Sequence, residues 1–171
     1  LRDTHVRTPA KWPTRARAYL DWCGALEGEG KPREVLSAAQ EALRELPADF
    51  SVRAEIADRL CAAAVQLGET QALRAGRWEA FRAQPSLLRL LDLRDTGTGS
   101  EEKRSLMQQV AGYVRDHRTR PPDYRIALEW DTADEERVTW IDRSVLAHAY
   151  LLAGELGTAR QLVQGQKVLG W

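Results

Sequence analysis

Apolar residues recur along this chain at intervals of three and four, and almost nowhere at intervals of two. Trp12, Ala16, Tyr19, Cys23 and Leu26 follow that spacing. Val35, Ala39, Ala42 and Leu46 come next, then Ile56, Leu60, Ala63 and Leu67. Further on stand Leu106, Val110 and Tyr113, and later Val138, Ile141, Val145, Ala149 and Leu152. Residues three and four apart share one side of an α-helix, so each series predicts an amphipathic helix with one face in a core. No run alternates apolar and polar residues over six positions, and valine, isoleucine and threonine are sparse, which argues against strands. The pattern predicts an all-α fold of about nine helices, each about 10–18 residues long.

The residues between these series agree. Pro32 follows Gly30-Lys31 at a helix start, where its missing N–H costs nothing. Pro47 and Pro85 close helices, with Asp49 or Ser51 and Ser86 available to cap the helices that follow. "TGTGS", residues 96–100, is a flexible break, and Glu101-Glu102 then complement the positive end of the next helix. "TADE", residues 132–135, reads as a capping box.

The stretch "LAHAYLLAGELGTARQLV", Leu146 to Val163, places Ala147, Tyr150, Gly154 and Ala159 at the offsets of a helix–turn–helix unit. Small residues at Ala147 and Ala159 let two helices approach, Tyr150 fills the space between them, and Gly154 ends the first helix. This resembles a tetratricopeptide repeat. The same frame fits Tyr19, Trp22, Gly30, Val35, Ala39, Ala42 and Pro47, and again Leu60, Gly68, Leu73, Ala80 and Pro85. Gly30 to Gly68 spans 38 residues, as does Pro47 to Pro85. The segment from Leu87 to Pro121 departs from the frame, with a short first helix and the long "TGTGSEE" turn, and "PPDYRIALEWD" reads as an extra short helix. The resemblance implies one helical-repeat domain over residues 1–171, with units near 12–49, 50–86, 87–131 (irregular) and 132–171. Its antiparallel helix pairs would stack into a short right-handed α-solenoid. "WEAFRAQPSLLRLLDLR" is similar to the helical region accompanying bacterial SWIM zinc fingers, although the finger's cysteine–histidine ligand pattern is not in this chain.

Composition narrows the functional classes. With 25 Lys plus Arg against 25 Asp plus Glu, no overall field draws the 171-residue chain to nucleic acid or to a membrane. No segment approaches about 18 uninterrupted apolar residues, so no membrane span is expected. "LRDTHVRTPAKWP" lacks a signal-peptide core, and the arginine bias hints at a bacterial, high-GC origin. The absence of an initiator methionine and the abrupt "VLGW" end read as a piece of a longer protein. Cys23 and Cys61 sit within apolar helical series and are expected as buried thiols, which fits a cytoplasmic address.

No catalytic constellation emerges, so a non-enzymatic role is expected, with no cofactor and no metal. His5, His117 and His148 lack metal-ligand spacing. Asp142, Ser144 and His148 invite a triad reading, but a nucleophile is normally presented at a sharp turn rather than mid-helix. The carboxylates of "DTADEER" serve a helix dipole, and "GTGS" lacks the lysine and strand of a phosphate loop. Six tryptophans suit packing between helices, apart from Trp171 at the chain end.

Two binding readings remain. The resemblance implies a concave groove lined by the first helix of each unit, which here gives Arg17, Leu20, Gly24 and Glu27, then Glu55, Asp58, Ala62 and Val65, then Ile141, Ser144, His148 and Leu151. The lysine–asparagine clamp for a terminal carboxylate is missing. The acidic and apolar mixture suits instead a helix or extended segment with basic and apolar residues, from a protein partner or the same parent chain. The alternative is a nucleic-acid-associated domain using Arg115, Arg118, Arg120 and Arg125 of "VRDHRTRPPDYR", with its tyrosine for stacking.

Overall fold

A computed structural model of the protein describes residues 16–46, 50–116 and 143–164. Among them the chain forms eight helices and no strand: α1 (Ala16–Gly28), α2 (Pro32–Glu45), α3 (Arg53–Leu67), α4 (Thr70–Ala83), α5 (Leu87–Arg94), α6 (Ser100–Asp116), α7 (Arg143–Leu152) and α8 (Leu156–Val163). The all-α expectation therefore holds for the described residues. They fall into two compact units, one of α1–α4 and one of α5–α8.

In the first unit α1 packs on α2, and α3 packs on both and carries α4. The alternation of small and large residues along α3 lets it take three neighbours. Ala54, Ile56, Ala57, Leu60, Cys61, Ala63 and Ala64 are all buried. The approach of α4 is closest at Gly76, where a Cβ would stand 2.6 Å from the Cys61 sulfur and 2.8 Å from Leu60 Cδ2. Only a glycine admits α3 at that distance. Trp78 and Phe81 then fill the interior of α4, with ring centroids 6.1 Å apart.

The glycine turns are the same three times over. Gly30, Gly68 and Gly154 adopt positive φ of 68°, 71° and 82°. Each glycine N–H donates to the carbonyl three residues back, at Glu27, Val65 and Leu151. The next N–H donates to the carbonyl five residues back, from Lys31 to Leu26, Glu69 to Ala64 and Glu155 to Tyr150, at 3.1, 2.9 and 2.9 Å. Left-handed backbone at the glycine thus satisfies carbonyls that a helix end would otherwise leave open. The following helix starts directly, and Pro32 occupies its first turn as expected.

The second unit repeats the connectivity of the first. The short α5 packs on α6 and α7, α6 packs on α7, and α7 carries α8. Ala147, Tyr150 and Ala159 are buried, as their spacing predicts. The "TGTGS" break is held by Glu102, whose carboxylate accepts from the Thr98 backbone N–H at 2.8 Å and from its hydroxyl at 2.7 Å. The Ser86 hydroxyl caps α5, accepting from the Arg89 N–H at 3.3 Å. At α3 the expected side-chain cap does not form. The Ala54 N–H is met by the Ser51 carbonyl at 3.0 Å rather than by its hydroxyl, because the helix begins from a preceding turn. Asp49, Pro47 and the "TADE" box lie outside the described residues.

One feature of the first core is charged. Arg53 and Glu79 are 4% and 2% exposed and pair at 2.9 Å across α3 and α4. Arg53 Nη1 also donates to the carbonyls of Leu43 and Leu46 at 2.7 and 2.5 Å, closing the C-terminal end of α2. Arg82 donates to the other Glu79 oxygen at 2.9 Å. Desolvating such a pair is costly, and it is tolerated because each charge is met from more than one side.

Candidate functional site

α3 is buried on every side but one. Its open stripe runs through Glu55, Asp58, Ala62 and Val65, spaced so that successive residues stack along one helix face. Glu55 and Ala62 are exposed, Asp58 is half-buried, and Val65 is 63% exposed, a large apolar surface left in water. Asp58 is held by interactions of its own.

The stripe adjoins α1. Arg59, next to Asp58, forms an ion pair with Glu27 across the two helices. It lies over Gly24, where a Cβ would sit 3.8 Å from its Nη1, so the small residue leaves the guanidinium room to cross. Arg17 is exposed and pairs with Asp21 at 3.0 Å along α1. Leu20, one turn along from Arg17, is buried and belongs to the core.

At the end of this face a cleft of about 320 Å³ opens between the α1–α2 turn and α3. Its walls are Glu27, Gly30, Lys31, Pro32 and Val35 on one side and Ala62, Ala63 and Gln66 on the other. Lys31 is engaged by Glu29 at 2.6 Å and Glu34 at 3.6 Å, so the mouth carries both signs of charge. The floor is apolar and small. Such a cleft can accept an apolar side chain or one turn of a chain, and its polar rim can align it.

In the second unit Ser144, His148 and Leu151 share one face of α7. Ser144 and His148 are half-buried, and Leu151 is 47% exposed. Ile141 and Asp142 lie outside the described residues, as do Arg118, Arg120 and Arg125 of the basic cluster. Arg115 is exposed near the end of α6, where a cation meets the negative end of the helix dipole.

Two groups buried in the first core stay protonated at neutral pH. Burial pushes the Cys23 thiol up to about 11, a rise that the nearby Arg59 only partly offsets. Burial, with Glu41 and Glu45 nearby, pushes the Tyr19 phenol up to about 12. Cys61 is also a buried thiol, and its Sγ donates to the Leu73 carbonyl at 3.7 Å. Among the described residues no group of three His, Cys, Asp or Glu could hold a metal ion, and no helix is long and apolar enough to cross a membrane.

Sequence spacing missed Arg59, Gln66 and Lys31 at this site. Arg59 could have been found from Gly24, since a small residue on a polar helix face leaves room for a long side chain from a neighbour. No family model, no curated protein and no solved structure matches the chain.

Proposed function

We propose that the chain is a divergent tetratricopeptide-like module that holds a helix or extended segment of a protein partner, acting as a non-enzymatic scaffold. The observation that supports this reading is the open stripe of α3. A helix covered by three neighbours keeps a 63%-exposed valine and an adjoining small-residue cleft on its one free side. Exposed apolar area beside ordered polar groups is characteristic of surfaces that bind other chains. Glu55 on the same stripe favours a partner with basic as well as apolar residues.

The test is affinity capture with the full chain and with a Glu55→Lys/Val65→Asp variant, each with and without nuclease. Both substitutions lie on exposed positions and should leave the fold intact, which circular dichroism would verify. A protein retained after nuclease treatment and depleted about tenfold by the variant, a loss of about 1.4 kcal/mol, is the expected result. Equal capture by both forms would remove this face from consideration. Loss of all capture with nuclease would move the reading to nucleic acid.

A further inference from the structure

Along α3, Arg59, Ala62 and Gln66 stand four, seven and eleven residues after Glu55, so the four form one row up the helix. The row differs in what each member still offers. Arg59 is committed to Glu27. Ala62 and Gln66 line the cleft, across from Pro32 and Val35. Glu55 and Gln66 are exposed, and among the described residues neither side chain makes an ion pair or a hydrogen bond. One face therefore carries an apolar-floored cleft of about 320 Å³, a free amide on its wall and a free carboxylate further along the same row.

We infer that this face reads an extended segment of a protein partner, which seats one aromatic side chain in the cleft, pairs its backbone with the Gln66 amide and sets a basic side chain four residues away on Glu55. The inference rests on the scaffold reading and narrows its partner to an extended segment. A cleft of this size lies at the lower end of ligand sites and admits one large side chain. A ring gains the most buried area there. The Gln66 amide has an acceptor oxygen and two N–H donors. An extended chain presents a free N–H and C=O that such an amide can meet together, whereas a helix has already paired both internally. The register follows from the two geometries. From Ala63 in the cleft wall back to Glu55 is eight residues of α3, about 12 Å at the helical rise. Four residues of extended chain cover about 13 Å, and side chains four apart point the same way. The Glu27–Arg59 pair on this face is internally neutralised, so the intervening residues need no charge.

The probes are fluorescein-labelled glycine–serine peptides with one phenylalanine and one arginine, titrated into the full chain by fluorescence anisotropy. Two carry the pair four residues apart, one in each chain direction. A third carries it five apart, which puts the two side chains on opposite sides of an extended chain. A helix-stapled fourth carries it seven apart, on one side of a helix. One of the four-apart peptides should bind saturably and about tenfold more tightly than the five-apart and stapled peptides, a difference of about 1.4 kcal/mol. Gln66→Ala should weaken that binding about tenfold, through the two backbone hydrogen bonds it removes. Glu55→Arg should abolish it, and a peptide with glutamate in place of its arginine should bind that variant instead. Both positions are exposed, so neither variant should change the thermal melt. Tighter binding of the stapled peptide, lost with Glu55→Arg, would overturn the inference and leave the scaffold reading standing. Binding of no peptide, or four-apart binding indifferent to Gln66 and Glu55, would also overturn it, while affinity capture decides the scaffold reading separately.

Discussion

At the scale of single residues, the first unit depends on the ions that its apolar pattern hides. Glu79 lies in a helix series of Ala72, Ala75, Trp78 and Phe81, and its carboxylate is 2% exposed. Removing one partner of such a pair strands the other, which costs about 3–5 kcal/mol. Glu79→Ala should therefore destabilise the chain strongly, leaving Arg53 buried without its carboxylate partner. Arg53→Ala should cost a similar amount, because it also opens the Leu43 and Leu46 carbonyls at the end of α2. The double variant should lose at least about 1 kcal/mol less than the sum, since neither charge is then left alone. Urea denaturation of the four proteins measures this cycle. Additive losses would mean that the two side chains act separately, despite their 2.9 Å contact.

At the scale of elements, the turns decide how each helix pair closes. Gly30 and Gly68 have nothing within 4 Å of the place where a Cβ would stand, so an added methyl meets no neighbour. The cost of Gly→Ala there is the backbone's alone. Left-handed conformation costs a residue with a Cβ about 1–2 kcal/mol. Gly30→Ala and Gly68→Ala should then destabilise by that amount and by nearly the same amount as each other. Asparagine at either position should recover part of the loss, because its short side chain tolerates this region. Chemical denaturation gives the comparison. An alanine variant as stable as the parent would show that the turn relaxes out of the left-handed region. Gly76 is the opposite case, on ordinary helical backbone but with no space, since Cys61 and Leu60 stand against it.

At the scale of the whole molecule, the helices and their turns were legible because both signals are local. Three- and four-residue spacing marks a helix without reference to its neighbours, and the 38-residue interval between Gly30 and Gly68 marks two turns that share the bond from the glycine N–H to the carbonyl three back and from the next N–H to the carbonyl five back. The departing segment was legible only as an irregularity. Its small-residue signature is missing, yet Leu90, Leu93, Leu106, Met107 and Val110 bury well enough to give α5 and α6 the places that α1 and α2 hold in the first unit. Arg53 and Glu79 were not legible, because a charge within an amphipathic series ordinarily marks the solvent side. Of the residues expected on the open face, Glu55 and Val65 could be placed by periodicity, while Leu20 is buried; Arg59, not among them, crosses over Gly24 of another helix.

The connectivity of the two units carries a consequence for their dynamics. In each unit one helix touches the other three: α3 meets α1, α2 and α4, and α7 meets α5, α6 and α8. Local opening of any outer helix leaves the central one covered on its remaining sides. Exposing the central helix requires the whole unit to come apart. Amides open with free energies that rise from fraying ends to the cooperative core. Native-state hydrogen exchange should therefore find the slowest amides of the first unit in α3, around Leu60 to Ala64, and those of the second in α7, around Ala147 to Tyr150. The terminal α8, packed on α7, should exchange faster than α7 within the same unit. Slowest exchange in α2 or α6 instead would show that length and local helix propensity outweigh this topology. Protection centred on α3 would also mean that the proposed binding stripe sits on the most rigid helix of its unit, so a partner meeting Glu55 and Val65 would find a preorganised surface and would not bear the cost of ordering it.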